Sequence, residues 1–292
     1  FPVIGAAVGA IAGLSLMVVA GLDLHPLACA FVALAVSALV TGALHEDGLA
    51  DVADGFGGGE TKAKKLKVMK DSRLGAFGML AVVFSVGIRA GILGGLPSPD
   101  MAALALIAAA VLSRGLLPAV MAVMDPARKS GLAFRAGTPD QESWVTALVL
   151  GGLLGFLFLG PGGGLMALAM AIIAVAALAW LAERQVGGFT GDVLGAQQQA
   201  AEIAVMGIRE GQHAAAVQRR GEVDFAGALV RRIKLRHAVG AQAGDPAIGV
   251  DVDAQMRPTL KAFAAEIVMR GGTERTVGQN FHPTFVGRGN LA

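Results

Sequence analysis

Carboxylates, basic side chains and glycine gather at three places in an otherwise apolar chain. The densest is HEDGLADVADGFGGG, residues 45–59. Asp47, Asp51 and Asp54 are spaced i, i+4, i+7, which on a helix puts three carboxylates on one face. Like charges so placed repel, and a divalent cation removes that repulsion. Mg²⁺ takes carboxylate oxygens together with substrate phosphate oxygens, so the cluster suits a nucleoside diphosphate. His45 is either a general base or a marker of the interface. The plain alternative for the cluster is a polar helix end, solvated just past a membrane. Gly48, Gly55 and Gly57–Gly59 predict close backbone approach or a mobile loop.

The second place is KVMKDSRLGAFG, residues 67–78. Asp71 and Ser72 are expected to cap the helix that follows. Lys70 and Arg73 either hold phosphate oxygens or anchor the chain at the interface. For the basic run from Lys62 to Lys67, anchoring is the expectation. The third is GGFTGDVLGA, residues 187–196, where Thr190 and Asp192 lie among glycines. Asp192 reads as a metal ligand or as a helix N-cap. Two arginines stand inside apolar runs, Arg89 and Arg114. A charge so placed faces a bundle interior or a cavity. Arg114 is a candidate partner for a substrate phosphate or for a carboxylate, and Arg89 is similar.

The elements that position these groups follow from composition. Of 292 residues, 54% are hydrophobic and 16% charged, and the mean hydropathy is +0.63. An ordinary soluble domain is about 25% charged. Disorder and an ordinary soluble enzyme are thereby excluded. The expected fold is all-α, a polytopic membrane helix bundle of six to seven spans with an irregular C-terminal tail. Six runs approach the roughly 20 apolar residues a span needs: 1–22, 24–44, 74–96, 101–124, 144–160 and 165–182. Their connectors alternate. Residues 21–23, 97–100 and 161–164 are short and nearly uncharged. Residues 46–73, 125–143 and 183–192 hold the Lys and Arg, and with six spans all three fall on one side. The positive-inside rule makes that side cytoplasmic. A seventh apolar stretch, 193–207, is too short to span comfortably. A net charge of +2 gives no reason to expect a nucleic acid. The single Cys29 excludes an intramolecular disulfide or a cysteine-based zinc site.

Average charge conceals a division. Residues 1–208 carry 12 Lys/Arg and 14 Asp/Glu, whereas the remaining 84 carry 12 and 8. We therefore expect a transmembrane domain over 1–207 and an atypical basic tail over 208–292. The tail's best amphipathic stretch is near Phe225–Leu235, and its histidines have no ligand-like spacing. The tail reads as a small soluble domain, as a disordered basic tail, or as the product of a reading frame shifted near codon 207. The chain opens on Phe1 inside an apolar run, so residues are expected to precede it.

Five collinear stretches resemble the cobalamin synthase (adenosylcobinamide-GDP ribazoletransferase) family. They are FPVIGAAVGAIAGL (1–14), TGALHEDGLADVADGF (41–56), LKVMKDSRLGAFG (66–78), LSRGLLP (112–118) and VGGFTGDVLGA (186–196) with Glu202. The resemblance covers nearly all of residues 1–206. It implies a polytopic inner-membrane enzyme that joins adenosylcobinamide-GDP to α-ribazole or its 5′-phosphate, with GMP leaving. It also implies use of Mg²⁺. Asp47, Asp51 and Asp54 are then metal-site residues, with Asp71 and Asp192 as further candidates. Lys70, Arg73, Arg114 and Thr190 are candidate substrate contacts. His45 or one carboxylate takes a proton from the attacking hydroxyl. Rival readings are a membrane CDP-alcohol phosphotransferase, a membrane prenyltransferase, a transporter and an inactive remnant of the enzyme. The first departs from the sequence, because Asp51-Val-Ala-Asp54-Gly55 is followed by Phe-Gly-Gly-Gly and lacks the Ala-Arg pair after the first D-x-x-D-G. Against the transporter, acids and bases cluster in connectors, not mid-span.

Overall fold

Apolar runs bounded by proline, glycine and capping side chains fold into helices throughout the described part of the chain. In this computed structural model the backbone is described for residues 1–243 apart from Ser72, and side chains as far as Gln218. The helices are α1 (Pro2–Ala20), α2 (Pro26–Thr41), α3 (Leu44–Gly58), α4 (Lys62–Val68), α5 (Ala76–Gly95), α6 (Pro99–Val123), α7 (Leu132–Ala136), α8 (Gln141–Val186) and α9 (Gly191–Ala243). Several starts are fixed locally. Pro26 and Pro99 follow His25 and Ser98, whose side chains accept from Leu27 and Met101 N–H groups. Asp140 accepts from the Ser143 N–H at 2.9 Å.

The expected spans correspond to α1, α2, α5, α6 and two arms of α8. Four of these helices are long and apolar enough to cross a membrane, and a fifth span exists if α2 and α3 count as one bent crossing. The 46 residues of α8 are not one rod. Gly160 has φ +74 and breaks the helix. A β-carbon built at Gly164 would lie 2.8 Å from the Phe156 Cα. Eight residues of unbroken helix would separate these backbones by about 12 Å. The chain therefore reverses here into an antiparallel helical hairpin, at the short connector expected over 161–164.

α6 is the central helix, buried along most of its length. α1 approaches it through Gly5, Gly9 and Gly13, one per turn. A β-carbon at Gly9 would sit 2.6 Å from the Ile107 Cα. Small residues at this spacing let two membrane helices pack backbone to backbone. Large apolar side chains point outward, among them Ile4, Leu14, Phe84, Leu153 and Leu157. An apolar exterior of this kind is consistent with a polytopic helical membrane protein.

The connector expected over 46–73 is itself helical. Gly42 and Ala43 both take left-handed backbone angles, φ 63 and 56. These two residues turn α3 by 91° from α2. α3 thus runs across the end of the bundle and carries the acidic motif with it. Contacts divide the chain into a unit Phe1–Gly221 and a second from Glu222. Of the second, α9 backbone is described to Ala243, which includes the amphipathic stretch 225–235. The rest of the expected tail lies outside the described residues.

Candidate functional site at the acidic end of the bundle

α3 crosses the first turns of α9 at two glycines. A β-carbon at Gly48 would lie 2.8 Å from the Asp192 carbonyl oxygen, and one at Gly195 would lie 3.2 Å from the His45 Cα. This crossing brings Asp192 to the face of α3 that carries Asp47 and Asp51. Burial, then Asp192, Asp47 and Asp54, push the Asp51 carboxyl up to about 7, with Arg128 opposing. Asp192 is raised as well, chiefly by burial, while Arg128 and Thr190 pull it down. Three carboxylates, Asp47, Asp51 and Asp192, thus share one end of the molecule.

Asp54 has a different position. Its Oδ2 accepts the Gly75 N–H at 2.7 Å and its Oδ1 the Gly78 N–H at 2.8 Å. It caps α5, the role expected of Asp71 and Ser72. The reason is tertiary: α3 packs on α5, and a carboxylate 21 residues upstream reaches the free N–H groups first. Asp71 instead pairs with Arg73 at 2.6 Å, and the Arg73 hydrogen bonds hold its carboxyl down near 2. This pair is exposed on the loop, as is Lys70. Ser72 lies outside the described residues.

Thr190 and Asp192 open α9. The Thr190 hydroxyl donates to Asp192 Oδ2 at 3.2 Å and accepts the Val193 N–H at 3.2 Å. Arg128 donates to the same Asp192 oxygen at 3.1 Å. The loop bearing Arg128 is tied to this segment by two backbone hydrogen bonds, Ala127 N–H to Phe189 O at 2.8 Å and Phe189 N–H to Asp125 O at 2.9 Å.

Arg114 does not join this face. It is buried, and its Nη1 meets Glu202 Oε1 at 3.0 Å. Arg89, 1% exposed, meets Glu202 Oε2 at 3.0 Å and Glu46 Oε1 at 3.4 Å. Gln198 donates to Glu202 and to the Ser113 hydroxyl, while Gln199 donates to Glu46 and accepts from the Ser85 hydroxyl. His45 sits beside this network. Burial and then the Arg114 charge lower it to about 4, so it is a neutral imidazole and a weak base. Glu46, Gln198, Gln199 and Arg128 were not singled out from the sequence. The signal available was the demand of two intramembrane arginines for acids. Glu202 is the sole acid in residues 193–207, and Gln198 precedes it by one helical turn.

The acidic face fits Mg²⁺. Its donors are hard carboxylate oxygens, and their charge, opposed by Arg128, is of the sign a divalent cation relieves. Among the described residues, no three His, Cys, Asp or Glu side chains close into a ready-made cage. Mg²⁺ needs none, since it keeps waters and takes one or two carboxylates plus substrate phosphates.

Comparison with known proteins decides the family. Residues 1–208 match cobalamin-5-phosphate synthase. The chain belongs to the cobalamin-5-phosphate synthase family. A relative from Bradyrhizobium diazoefficiens is 45% identical over 205 residues, covering 70% of this chain and 79% of its own length. One from Azorhizobium caulinodans is 45% identical over 215 residues, covering 71% and 81%. One from Rhizobium etli is 44% identical over 213 residues, covering 70% and 82%. All three are named adenosylcobinamide-GDP ribazoletransferase. No solved structure matches. Family membership makes the chain a transferase of cobalamin biosynthesis, as its motifs indicated. The acidic face and the buried network both lie inside the matched stretch.

Proposed function

We propose that this chain joins adenosylcobinamide-GDP to α-ribazole or its 5′-phosphate, releasing GMP, at the face shared by α3 and the start of α9. The observation that carries this reading is the convergence of Asp47, Asp51 and Asp192 within the family-matched stretch. A ribose hydroxyl oxygen of the acceptor bonds to the phosphorus that bears the corrinoid. The anhydride bond to the guanylate breaks, and its electron pair leaves with GMP. The hydroxyl proton passes to a carboxylate of the face; His45, held neutral and weakly basic, is poorly matched to that task.

Asp47, Asp51 and Asp192 would hold Mg²⁺. When bound, the ion neutralises charge on the phosphoryl group in flight and on the leaving phosphate. Asp54 serves by fixing the loop that carries Lys70 and Arg73, and these exposed cations are suited to meet phosphate oxygens. Arg114 acts at a distance, through Glu202. The basic connectors share the end of the bundle that carries the acidic face. This supports an inner-membrane location with the site on the cytoplasmic side, the bilayer covering the apolar exterior.

The test is GMP release from adenosylcobinamide-GDP and α-ribazole in membranes, with and without Mg²⁺. Wild-type membranes should release GMP only with the metal. Asp47→Asn and Asp51→Asn variants that keep full Mg²⁺-dependent release would remove the assigned face. No release from wild type would remove the assigned reaction and favour an inactive remnant.

A further inference from the structure

Among the described residues, four enclosed side-chain atoms have no hydrogen-bond partner: Glu46 Oε2, Gln197 Oε1, Arg209 Nε and Arg128 Nη1. Of these, Arg128 Nη1 stands at the acidic face. Its position is built by backbone. The loop after α6 forms an isolated parallel bridge, Pro126 with Phe189. Gly188, at φ +139, presses against it so closely that a β-carbon there would strike the Asp125 carbonyl oxygen. From this fixed base Arg128 extends one arm, Nη2, to Asp192. Its side chain is 18% exposed, and the Nη1 arm is shut off from water without a partner.

A guanidinium carries five donors in a fixed fork and no acceptor. One prong satisfied by a carboxylate and the other enclosed and idle is an arrangement that an anionic oxygen completes. The charge of Arg128 also acts on Asp51, so the idle prong belongs to the face where the phosphates would lie. We propose that Arg128 grips the diphosphate of the nucleotide-activated donor through Nη1, with Asp192 and the 125–127/188–189 bridge aiming it. The assignment rests on the transfer reaction proposed above. It gives Asp192 a second task, orienting a cation. It also distinguishes Arg128 from Lys129, its exposed neighbour on the same loop.

The test uses the full chain purified in detergent. Inorganic pyrophosphate binding is measured by calorimetry with Mg²⁺ present, and donor KM is measured with α-ribazole and, separately, its 5′-phosphate. Arg128→Ala should weaken pyrophosphate binding and raise donor KM at least tenfold, to the same degree with both acceptors. Arg128→Lys should be intermediate, because an ammonium restores the charge but not the fork. Added guanidine should recover part of the Arg128→Ala loss, and Lys129→Ala should match wild type. Unchanged binding and KM in Arg128→Ala would overturn the assignment. So would a loss confined to the phosphate-bearing acceptor, or an equal loss in Lys129→Ala. If Arg128→Ala does not fold, Arg128→Gln and Arg128→Lys provide the same readings. Pyrophosphate binding that depends on Arg128 in a chain that releases no GMP would sink the transfer reaction and keep the anion grip. Turnover with an unaffected variant would do the reverse.

Discussion

Glu46 and Asp47 are adjacent residues in the first turn of α3, and they belong to opposite electrostatic regimes. Glu46 joins Arg89, Arg114 and Glu202 in a sealed set of two cations and two anions. Serine and glutamine side chains fill most of the remaining hydrogen-bonding capacity. Asp47 joins Asp51 and Asp192 in an open set, where Arg128 is the cation and like charges crowd. The sealed set balances because a membrane interior tolerates no unpaired ion. The open set is unbalanced, and under the proposed reaction a metal ion and substrate phosphates would complete it. Charge balance thus separates groups that hold the fold from groups proposed to meet a ligand, within a single motif.

Substitutions that move one set without the other sharpen this contrast. The largest effect is expected in the sealed set. Glu202→Leu strands the buried Arg114 guanidinium and leaves Arg89 with Glu46 as its one carboxylate, and should cost about 3–5 kcal/mol, read as loss of folded protein in detergent-solubilised membranes. In the open set, Asp47→Asn should lower kcat for GMP release about a hundredfold, near 2.7 kcal/mol, with Tm unchanged. A Tm collapse there would erase the distinction. Asp54→Ala crosses between the two. It removes a double helix cap and should cost about 1–2 kcal/mol, seen by thermal unfolding together with lowered activity.

A pH experiment probes the open set, against an opposite and smaller trend from His45, whose lowered value makes stability rise with pH up to about 6.5. In the fold the Asp51 carboxyl titrates near 7, against an ordinary value of 3.8. The folded protein therefore holds a proton that the unfolded chain releases, and stability falls as pH rises from about 4 through 7. In EDTA, wild type should lose about 2–4 °C of Tm between pH 5 and pH 8, a small shift because Asp51 is partly solvated. Asp51→Asn should lose less, the remainder coming from Asp192, whose carboxyl is also raised. The smallest effect is expected from Asp71→Asn, an exposed pair, with Tm unchanged to within about one degree.

The sequence made much of this legible. Apolar run lengths locate the crossing segments, and the uncharged stretch at 161–164 marks where the chain reverses at Gly160. The i, i+4, i+7 spacing puts Asp47, Asp51 and Asp54 on one helix, as found. What it could not show is which oxygens are already engaged. Asp54 looks like its neighbours in the motif, yet the packing of α3 against α5 gives both of its oxygens to backbone N–H groups. Arg128 read as one of several charges orienting the chain in a membrane. Its contact with Asp192, 64 residues away, depends on a two-bond backbone bridge with no distinctive residue pattern. Arg114 announced a need for an acid, but only the fold could choose Glu202 over a substrate.

The right-angle turn at Gly42 and Ala43 has a mechanical consequence. α3 is a short beam laid across the bundle and fastened near both ends, by Glu46 to the buried Arg89 and Gln199 and by Asp54 to the start of α5. Asp47 and Asp51 lie between the fastenings. A segment pinned in this way has little freedom left to lose when substrate arrives, so its carboxylates need not be gathered at the moment of reaction. Two acids of the motif are joinery, and they spare the other two the entropy of finding their places.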